Sequence, residues 1–212
     1  MRGTIAATCQ PHGTPIQTNS SLIRLAIRIN QREPFGMRPL IRDSLPTDIP
    51  MITAIYAHAV LHGNASFELD PPDATEIARR RDALLASGYP YLVAELDGVV
   101  VGYSHAGSYR TRPGYRFTVE NSVYVSPDRQ GQGIGRALLP PLIDRCKQNG
   151  HRLMVAVIGD SANHASIRLH ARCGFTHAGL LPAIGWKHGR WLDSVMMTRP
   201  LGPGSSEPPT DR

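Results

Sequence analysis

The sequence lacks several features that would assign it to a specialised class of protein. Its three cysteines, at positions 9, 146 and 173, are too few and too widely spaced for a disulfide scaffold or a CxxC zinc site. No apolar run approaches the roughly 20 residues that a membrane-spanning helix needs. Hydrophobic residues make up 41% of the chain and charged residues 19%, which excludes a disordered protein. A globular protein of 212 residues remains, and the sparse cysteines favour a reducing, cytoplasmic setting.

Lysine is almost absent, although the chain is basic. Of its 23 basic residues only Lys147 and Lys187 are lysines, and the formal net charge is +6 at pH 7. The arginines are scattered apart from one run, Arg79–Arg81, and no aromatic residues alternate with that run. A nucleic-acid surface combines clustered positive charge with side chains that stack on bases. The charge pattern therefore argues against a nucleic-acid partner, and the run is interpreted as a solvated helix face.

Acidic residues are scarce near the N-terminus. Residues 1–36 are rich in Thr, Ser, Gln, Asn and Arg, and they contain a single acid, Glu33. A transit peptide has such a composition, so that interpretation stays open. The preferred prediction is an upstream start or a dispensable, disordered extension, with Met37 as the start of the folded unit and one domain over residues 37–201. Residues 202–212 are rich in Pro, Gly and Ser, which predicts a disordered tail.

Between these termini the hydrophobic pattern alternates between the periods of strands and helices. The predicted order is β-α-α-β-β-β-α-β-α-β-β, which indicates an α/β domain with a mixed sheet. Asp97-Gly98 predicts a tight hairpin turn, and Pro140-Pro141 predicts a kink or break in the third helix. Strands are predicted at 38–43, 91–95, 99–105, 116–125, 152–158, 175–183 and 191–198. Helices are predicted from about 48, over 73–87, over 133–148 and over 162–172.

The most informative segment is a glycine-rich turn between a predicted strand and a predicted helix. Glycines at 131, 133 and 135 let the backbone approach a ligand without obstruction from Cβ atoms. The N–H groups at the start of the helix, together with its dipole, favour a phosphate or pyrophosphate. A P-loop is excluded because Arg136-Ala137 stands where Lys and Ser/Thr are needed, and a dinucleotide fingerprint is excluded because its spacing and its acid are missing. The pattern that fits is Gln130-x-x-Gly133-x-Gly135.

This pattern resembles the acetyl-CoA pyrophosphate loop of the GNAT-type N-acetyltransferase superfamily. Further segments resemble, in the same order, the phosphinothricin and methionine sulfone/sulfoximine N-acetyltransferase family within that superfamily. They are Thr118–Val125 (TVENSVYV), Val155–Asn163 with Ala165–Phe175, and Gly185–Asp193 (GWKHGRWLD). The resemblance covers about residues 37–201. It implies the GNAT fold, an α/β architecture with a mixed, mostly antiparallel central sheet flanked by helices.

The resemblance implies acetyl-CoA as cosubstrate and no metal. His58 and His62 have metal-ligand spacing on a predicted helix, but no third ligand is evident in the sequence. For Asn163 a helix N-cap is an alternative that is compatible with cofactor binding. The cofactor-binding residues that the resemblance implies are Val123, Tyr124, Val125, Gln130, Gly131, Gln132, Gly133, Ile134, Gly135, Arg136, Asn163 and Ser166.

Two residues are predicted to be catalytic. Glu120 lies among apolar residues of the strand before the loop, where desolvation raises a carboxylate pKa toward working pH. The resemblance assigns the general base to this Glu. His170 stands where many acetyltransferases have a Tyr that reprotonates the leaving thiolate. A His could do so near neutral pH, and substrate positioning or a structural role stay open.

The resemblance also implies the residues that bind the acetyl acceptor. Arg110 and Arg112 suit a carboxylate, phosphinate or sulfone oxygen. Phe67 suits an aromatic contact to the substrate, with a place in the core as the alternative, and Lys187 suits the pocket or a dimer contact. The predicted function is direct acetylation, in a ternary complex, of the α-amino group of a small amino-acid-like substrate by a homodimer. The alternatives are acetylation of a macromolecular amine (a protein N-terminus, Lys or aminoacyl-tRNA) and a non-catalytic acyl-CoA-binding module.

Overall fold

The computed structural model describes residues 38–209, so the predictions for residues 1–36 and for Met37 lie outside the described residues. Seven strands and four helices follow one another in the predicted order. The strands are β1 (Leu40–Asp43), β2 (Tyr91–Leu96), β3 (Val99–Ser108), β4 (Thr118–Val125), β5 (Leu153–Gly159), β6 (Thr176–Lys187) and β7 (Arg190–Pro200). The helices are α1 (Ile49–His62), α2 (Ala74–Ala86), α3 (Ile134–Gln148) and α4 (His164–Arg172).

The strands form one sheet in the order β1-β2-β3-β4-β5-β7-β6. Every neighbouring pair is antiparallel except β4 and β5, which run parallel. The sheet is therefore mixed and mostly antiparallel, which confirms the predicted fold class. The parallel pair is short. Its register runs from Thr118 opposite Leu153 to Asn121 opposite Ala156, and β4 continues beyond it without β5 as a partner.

Helices cover both faces of the sheet because the central strands are apolar on both sides. On β2, Tyr91 and Val93 pack with the isoleucines of α1 and α2, whereas Leu92 and Ala94 pack with the leucines of α3. Successive residues of a strand point to opposite faces, so one strand contributes to both layers of the core. Ile52 of α1 is fully buried, and burial of such a side chain contributes about 1.5–3 kcal/mol.

Local sequence signals explain where several elements begin and turn. The Asp73 side chain accepts a hydrogen bond from the Glu76 backbone N–H, so it caps α2 as predicted. Asp97 and Gly98 both adopt positive φ angles, 51° and 77°, as a two-residue hairpin turn requires. No helix within residues 38–209 combines the length and the apolar character needed to cross a membrane.

Three features differ from the prediction or extend it. The break expected at Pro140-Pro141 is absent, because α3 continues through both prolines while its other face buries Leu138, Leu139 and Leu142 in the core. The hairpin of β6 and β7 is longer than predicted and turns at His188-Gly189, both with positive φ. Residues 202–207, part of the predicted disordered tail, lie in turns and bends, and the Arg152 side chain donates a hydrogen bond to the Pro208 carbonyl.

Candidate active site

A cleft opens where β4 and β5 part. It has a volume of about 290 Å³, and its walls come from β4, β5, the start of α4 and the loop that follows α1. The separation leaves the β4 backbone after Asn121 without a strand partner on the β5 side. Groups of an extended ligand can therefore pair with it as an added strand does. The lining residues include Tyr56, Ser66, Phe67, Glu120, Asn121, Ser122, Val123, Tyr124, Asn163, Ser166 and His170.

The glycine-rich turn connects β4 to α3 through a 3₁₀ turn at Pro127–Arg129. Gly131 and Gly133 adopt φ angles of 75° and 82°, a region that other L-residues rarely enter. A Cβ atom at either position would meet no protein atom within 4 Å, so within the protein itself it is the backbone conformation that demands glycine there. α3 begins at Ile134, and its first N–H groups have no earlier helical carbonyl to bond. This terminus suits an anion, with the exposed Arg129 and Arg136 as further positive charges.

The other two residues of the glycine pattern have structural surroundings of their own. Gly135 lies against α4, where an added Cβ would come within 3.0 Å of a Leu169 methyl group. The glycine therefore permits the close approach of α3 and α4. Gln130 is exposed, and the Gln132 side chain donates a hydrogen bond of 3.1 Å to the Asp128 carbonyl.

Glu120 is half-buried on the wall of the cleft. Burial raises the pKa of Glu120 above the ordinary value of a glutamate, and the positive charge of Arg110 acts in the opposite direction. A carboxylate whose pKa lies closer to neutrality accepts a proton more readily, as a general base must. The sequence placed Glu120 in this role, and its position in the cleft is compatible with it.

The two arginines differ in their relation to the cleft. Both are exposed and lie in the connection between β3 and β4. Arg110 stacks over the Tyr109 ring at 5.1 Å and acts electrostatically on Glu120. Arg112 directly precedes the 3₁₀ turn at Pro113–Tyr115. In the described part of the chain neither arginine is among the residues that line the cleft, so of the two only Arg110 is linked to the site.

Lys187 is not among the residues that line the cleft, but it bonds to the loop that forms one of its walls. Its side chain is buried, and the ammonium group donates a 2.6 Å hydrogen bond to the Ser66 carbonyl, next to Phe67. Burial lowers the pKa of Lys187, against the effect of the nearby Glu68 carboxylate. A Cβ at Gly185 would overlap the Phe67 ring. The GWKH segment therefore contacts this loop twice, by the Lys187 hydrogen bond and by the packing of Gly185 against Phe67. The sequence predicted that Lys187 shapes the substrate pocket or a dimer contact. In the structure its ammonium group bonds to the loop that carries Phe67, and a role at the pocket stays a prediction.

The start of α4 forms the wall of the cleft opposite β4. The Asn163 side-chain oxygen accepts a hydrogen bond of 3.2 Å from the Ser166 N–H, so the N-cap alternative is realised. The His170 ring lies between the Ser166 carbonyl and the Asn121 side chain, at 2.8 Å and 2.9 Å. Sequence reasoning missed Asn121, because neighbouring residues of a strand point to opposite faces and Asn121 directly follows Glu120.

A second cavity, of about 530 Å³, adjoins the cleft. Tyr56, Ser122 and Tyr124 line both spaces, so the two are neighbours across these side chains. The Tyr56 hydroxyl donates to the Glu68 carboxylate at 3.1 Å and lies 3.0 Å from the Ser66 hydroxyl. The other walls are aromatic and basic, with Tyr89, Tyr91, Tyr103, His105, Arg79 and Arg80 among them. Sequence reasoning missed this cavity because its walls come from segments far apart in the chain.

Comparison with known proteins identifies the family. The acetyltransferase (GNAT) family matches residues 55–175. The chain is 53% identical over 170 residues to a phosphinothricin N-acetyltransferase of Alcaligenes faecalis, which covers 80% of this chain and 85% of the relative. It is 46% identical over 157 residues to an L-methionine sulfoximine/L-methionine sulfone acetyltransferase of Salmonella typhimurium, covering 74% and 91%.

A solved structure agrees with these relatives. It is a GNAT superfamily phosphinothricin acetyltransferase from Sinorhizobium meliloti in complex with acetyl-CoA, with a TM-score of 0.80 and 46% identity over 82% of this chain and 95% of that one. The cleft between parting strands, the glycine turn and these similarities together define an N-acetyltransferase. The chain belongs to the acetyltransferase (GNAT) family.

Proposed function

We propose that this protein transfers the acetyl group of acetyl-CoA to the α-amino group of a small amino-acid-like compound of the phosphinothricin, methionine sulfone or methionine sulfoximine type. The observation that supports it most directly is the half-buried Glu120 carboxylate in a cleft lined by β4, the strand that leads into the glycine turn. The named activities of the relatives indicate the class of acceptor.

The residues around the cleft fit acetyl-CoA. The positive φ angles of Gly131 and Gly133 expose backbone N–H groups where a pyrophosphate would bind, with the Arg136 charge nearby. The β4 backbone over Val123–Val125 has no strand partner on the β5 side and would pair with the pantetheine arm. Asn163 and Ser166 would contact that arm from α4. Acetyl-CoA supplies the activated acetyl group, and the protein supplies its position.

Glu120 would act as the general base. The ammonium group of the acceptor gives one proton to the Glu120 carboxylate, directly or through a water molecule, and becomes a neutral amine. The amine nitrogen then forms a bond to the thioester carbonyl carbon while a backbone N–H of β4 stabilises the negative charge on the oxygen. The carbon–sulfur bond breaks and the thiolate of CoA leaves. The nitrogen gives its second proton to this thiolate, directly or through a water molecule, so the products are the neutral amide and the thiol of CoA. The transfer is direct and needs no covalent enzyme intermediate.

The neighbouring cavity would hold the side chain of the acceptor. Ser122 and the tyrosine hydroxyls can donate hydrogen bonds to sulfone, sulfoximine or phosphinate oxygens. Arg110, which acts on Glu120, would attract the carboxylate that an amino acid bears next to its amine. Phe67 would pack against the acceptor at the cleft.

We further propose that the working protein is a cytoplasmic homodimer. Ile184, Trp186 and Trp191 on the β6–β7 hairpin expose more than half of their surface. β6 is also an edge strand of the sheet. Exposed apolar residues beside an unpaired strand edge favour association with a second copy.

Thiol release from acetyl-CoA tests the proposed function. Methionine sulfone, methionine sulfoximine and phosphinothricin would be compared with ordinary amino acids, a Lys peptide and aminoacyl-tRNA. Release on one of the first three, lost in Glu120→Gln and kept in Asp97→Asn, is the expected result. Asp97 is an exposed acid in the β2–β3 turn, so its replacement is a matched control. Release only on the peptide or tRNA would move the function to macromolecular amines, and tight acetyl-CoA binding without turnover would indicate a non-catalytic module.

A further inference from the structure

Both ring nitrogens of His170 are engaged in hydrogen bonds. Nδ1 lies 2.8 Å from the Ser166 carbonyl oxygen, one turn earlier in α4, and Nε2 lies 2.9 Å from the Asn121 side-chain Nδ2. The Ser166 hydroxyl is farther away, at 3.3 Å from Nδ1. The Phe175 ring packs edge-on against the imidazole, with ring centroids 5.0 Å apart. The imidazole is therefore fixed in one orientation in the wall of the cleft.

These partners determine the tautomer of the ring. A backbone carbonyl can only accept, so Nδ1 must donate its proton to Ser166. In the neutral ring Nε2 is then an acceptor, and the Asn121 amide presents its Nδ2 group to it. Burial lowers the pKa of His170, and the bond to the Ser166 carbonyl acts in the opposite direction with a smaller effect. The net shift favours the neutral ring at neutral pH.

This hydrogen bonding leaves His170 no proton to give to a thiolate in the cleft. The one proton of the neutral ring lies in the bond to the Ser166 carbonyl, and the lone pair of Nε2 is occupied by Asn121. Reprotonation of the thiolate by His170 would require both bonds to break. The structure therefore speaks for a different role of this histidine.

Asn121 occupies the point where the two cleft strands separate. It is the last residue of β4 in register with β5, opposite Ala156, whereas β4 stays paired with β3 as far as Val125. The Asn121 Oδ1 atom is buried without a hydrogen-bond partner among the described residues. The Asn121 Nδ2 group bonds to His170, and this bond sets the orientation of the amide.

We propose that His170 is a positioning residue. In its neutral form it ties Asn121 to α4, and this tie fixes the distance between the β4 wall and the α4 wall that receive the acetyl-pantetheine arm. Asn163 and Ser166 belong to the α4 wall, and Val123–Val125 belong to the β4 wall. The inference rests on the proposed function, because it takes acetyl-CoA as the ligand of the cleft.

Acetyl-CoA binding, measured by calorimetry without any acceptor, tests the inference. His170→Phe keeps a ring against Phe175 but loses both hydrogen bonds, so acetyl-CoA should bind about tenfold more weakly, the effect of one lost buried hydrogen bond. Asn121→Leu should have the same effect, and the double variant should be no weaker than either single one. His170→Gln can still accept from Asn121 and should recover most of the affinity. His164→Phe, an exposed histidine on the same helix, is the matched control and should bind as the wild type does.

Turnover and spectroscopy separate positioning from proton transfer. In His170→Gln the pH profile of kcat should keep the shape of the wild-type profile. The imidazole ¹⁵N spectrum of the wild-type protein should show His170 as a neutral ring in the Nδ1–H tautomer at neutral pH, because burial lowers its pKa below the ordinary histidine value.

Several results would overturn the inference. One is an Nε2–H tautomer of His170 in the spectrum. Another is an equal loss of kcat in His170→Gln and His170→Phe, together with the loss of the alkaline limb of the pH profile of kcat. Unchanged acetyl-CoA affinity in folded His170→Phe and Asn121→Leu would overturn it while leaving the proposed function intact. A wild-type protein that does not bind acetyl-CoA at all would remove both. If His170→Phe fails to fold, the ¹⁵N spectrum of the wild type and the kinetics of His170→Gln still test the inference.

Discussion

The Lys187 ammonium group donates a 2.6 Å hydrogen bond to the Ser66 carbonyl, which joins the β6–β7 hairpin to the loop that follows α1. The same hairpin is linked to this loop once more directly and once through Asp160. Arg190 pairs with Asp160, which also accepts from the Asn64 side chain, and the His188 ring lies 3.3 Å from the Gly63 carbonyl. The loop that presents Phe67 to the cleft is therefore held by residues near the end of the domain.

Replacement of Lys187 should loosen this loop. In Lys187→Met the Ser66 carbonyl loses its buried donor, which should lower the free energy of unfolding by about 1–3 kcal/mol and raise the KM for the acceptor more than the KM for acetyl-CoA. Thermal unfolding and steady-state kinetics measure the two effects. Lys147→Met replaces the other lysine, which is exposed on α3, and should change neither. Equal behaviour of the two variants would contradict the role of Lys187.

The rate should depend on the ionisation of Glu120. Because burial raises the pKa of Glu120, kcat/KM should fall as the pH drops through that value, since the protonated carboxyl cannot accept a proton. Glu120→Gln should remove this acid limb and lower turnover by about 10²–10⁴-fold with little change in acetyl-CoA affinity. Near-full activity of the variant at neutral pH would dismiss Glu120 as the base.

The stability of the protein should reflect the same shift. A carboxyl with a raised folded-state pKa favours the fold when protonated, and this contribution disappears as the pH rises through the folded-state value. Glu120→Gln stays neutral, so its unfolding temperature should exceed that of the wild type at pH values above the Glu120 pKa. The two temperatures should converge as the pH falls below it. A constant difference at all pH values would mean that the effect is not the charge.

The glycine turn should need its glycines for two separable reasons. Gly133→Ala and Gly131→Ala force alanine to a positive φ, which should cost about 1–2 kcal/mol of stability. In the proposed complex the pyrophosphate lies against this turn, where an added Cβ would obstruct it, so acetyl-CoA should bind at least about tenfold more weakly. Gly98→Ala has the same kind of strain, at φ 77°, but in the β2–β3 turn. Gly98→Ala should lose stability and keep the affinity for acetyl-CoA. Calorimetry of the three variants therefore distinguishes backbone strain alone from a blocked binding site.

The exposed tryptophans of the hairpin should control the oligomeric state. Trp191, 62% exposed, should be covered in the proposed dimer, so Trp191→Arg should give monomers by light scattering coupled to size-exclusion chromatography. Leu40→Arg alters a residue that is 60% exposed on β1, at the opposite edge of the sheet, and should leave the dimer intact. A wild-type protein that elutes as a monomer would reject the dimer.

Predictions from the sequence succeeded where the cause is local. The cap at Asp73 and the turn at Asp97-Gly98 depend on residues within a few positions of each other. The Pro140-Pro141 prediction was wrong about a break because burial of the α3 leucines in the core outweighs the lost backbone bonds. The predicted end of β6 was too early because its last pairs form with β7 across a turn at His188-Gly189 that the pattern did not signal.

By itself the sequence determined the order of the elements, the family and the glycine turn. These follow from the period of the side chains, from backbone conformations that glycine tolerates and from short motifs. Only the tertiary structure decided which side chains meet. Lys187 and Ser66 are 121 residues apart and Asn121 and His170 are 49 apart, so no local pattern records either contact. The reason is that such bonds form only after the sheet and both helical layers have packed. That packing brings together residues that are distant in the sequence.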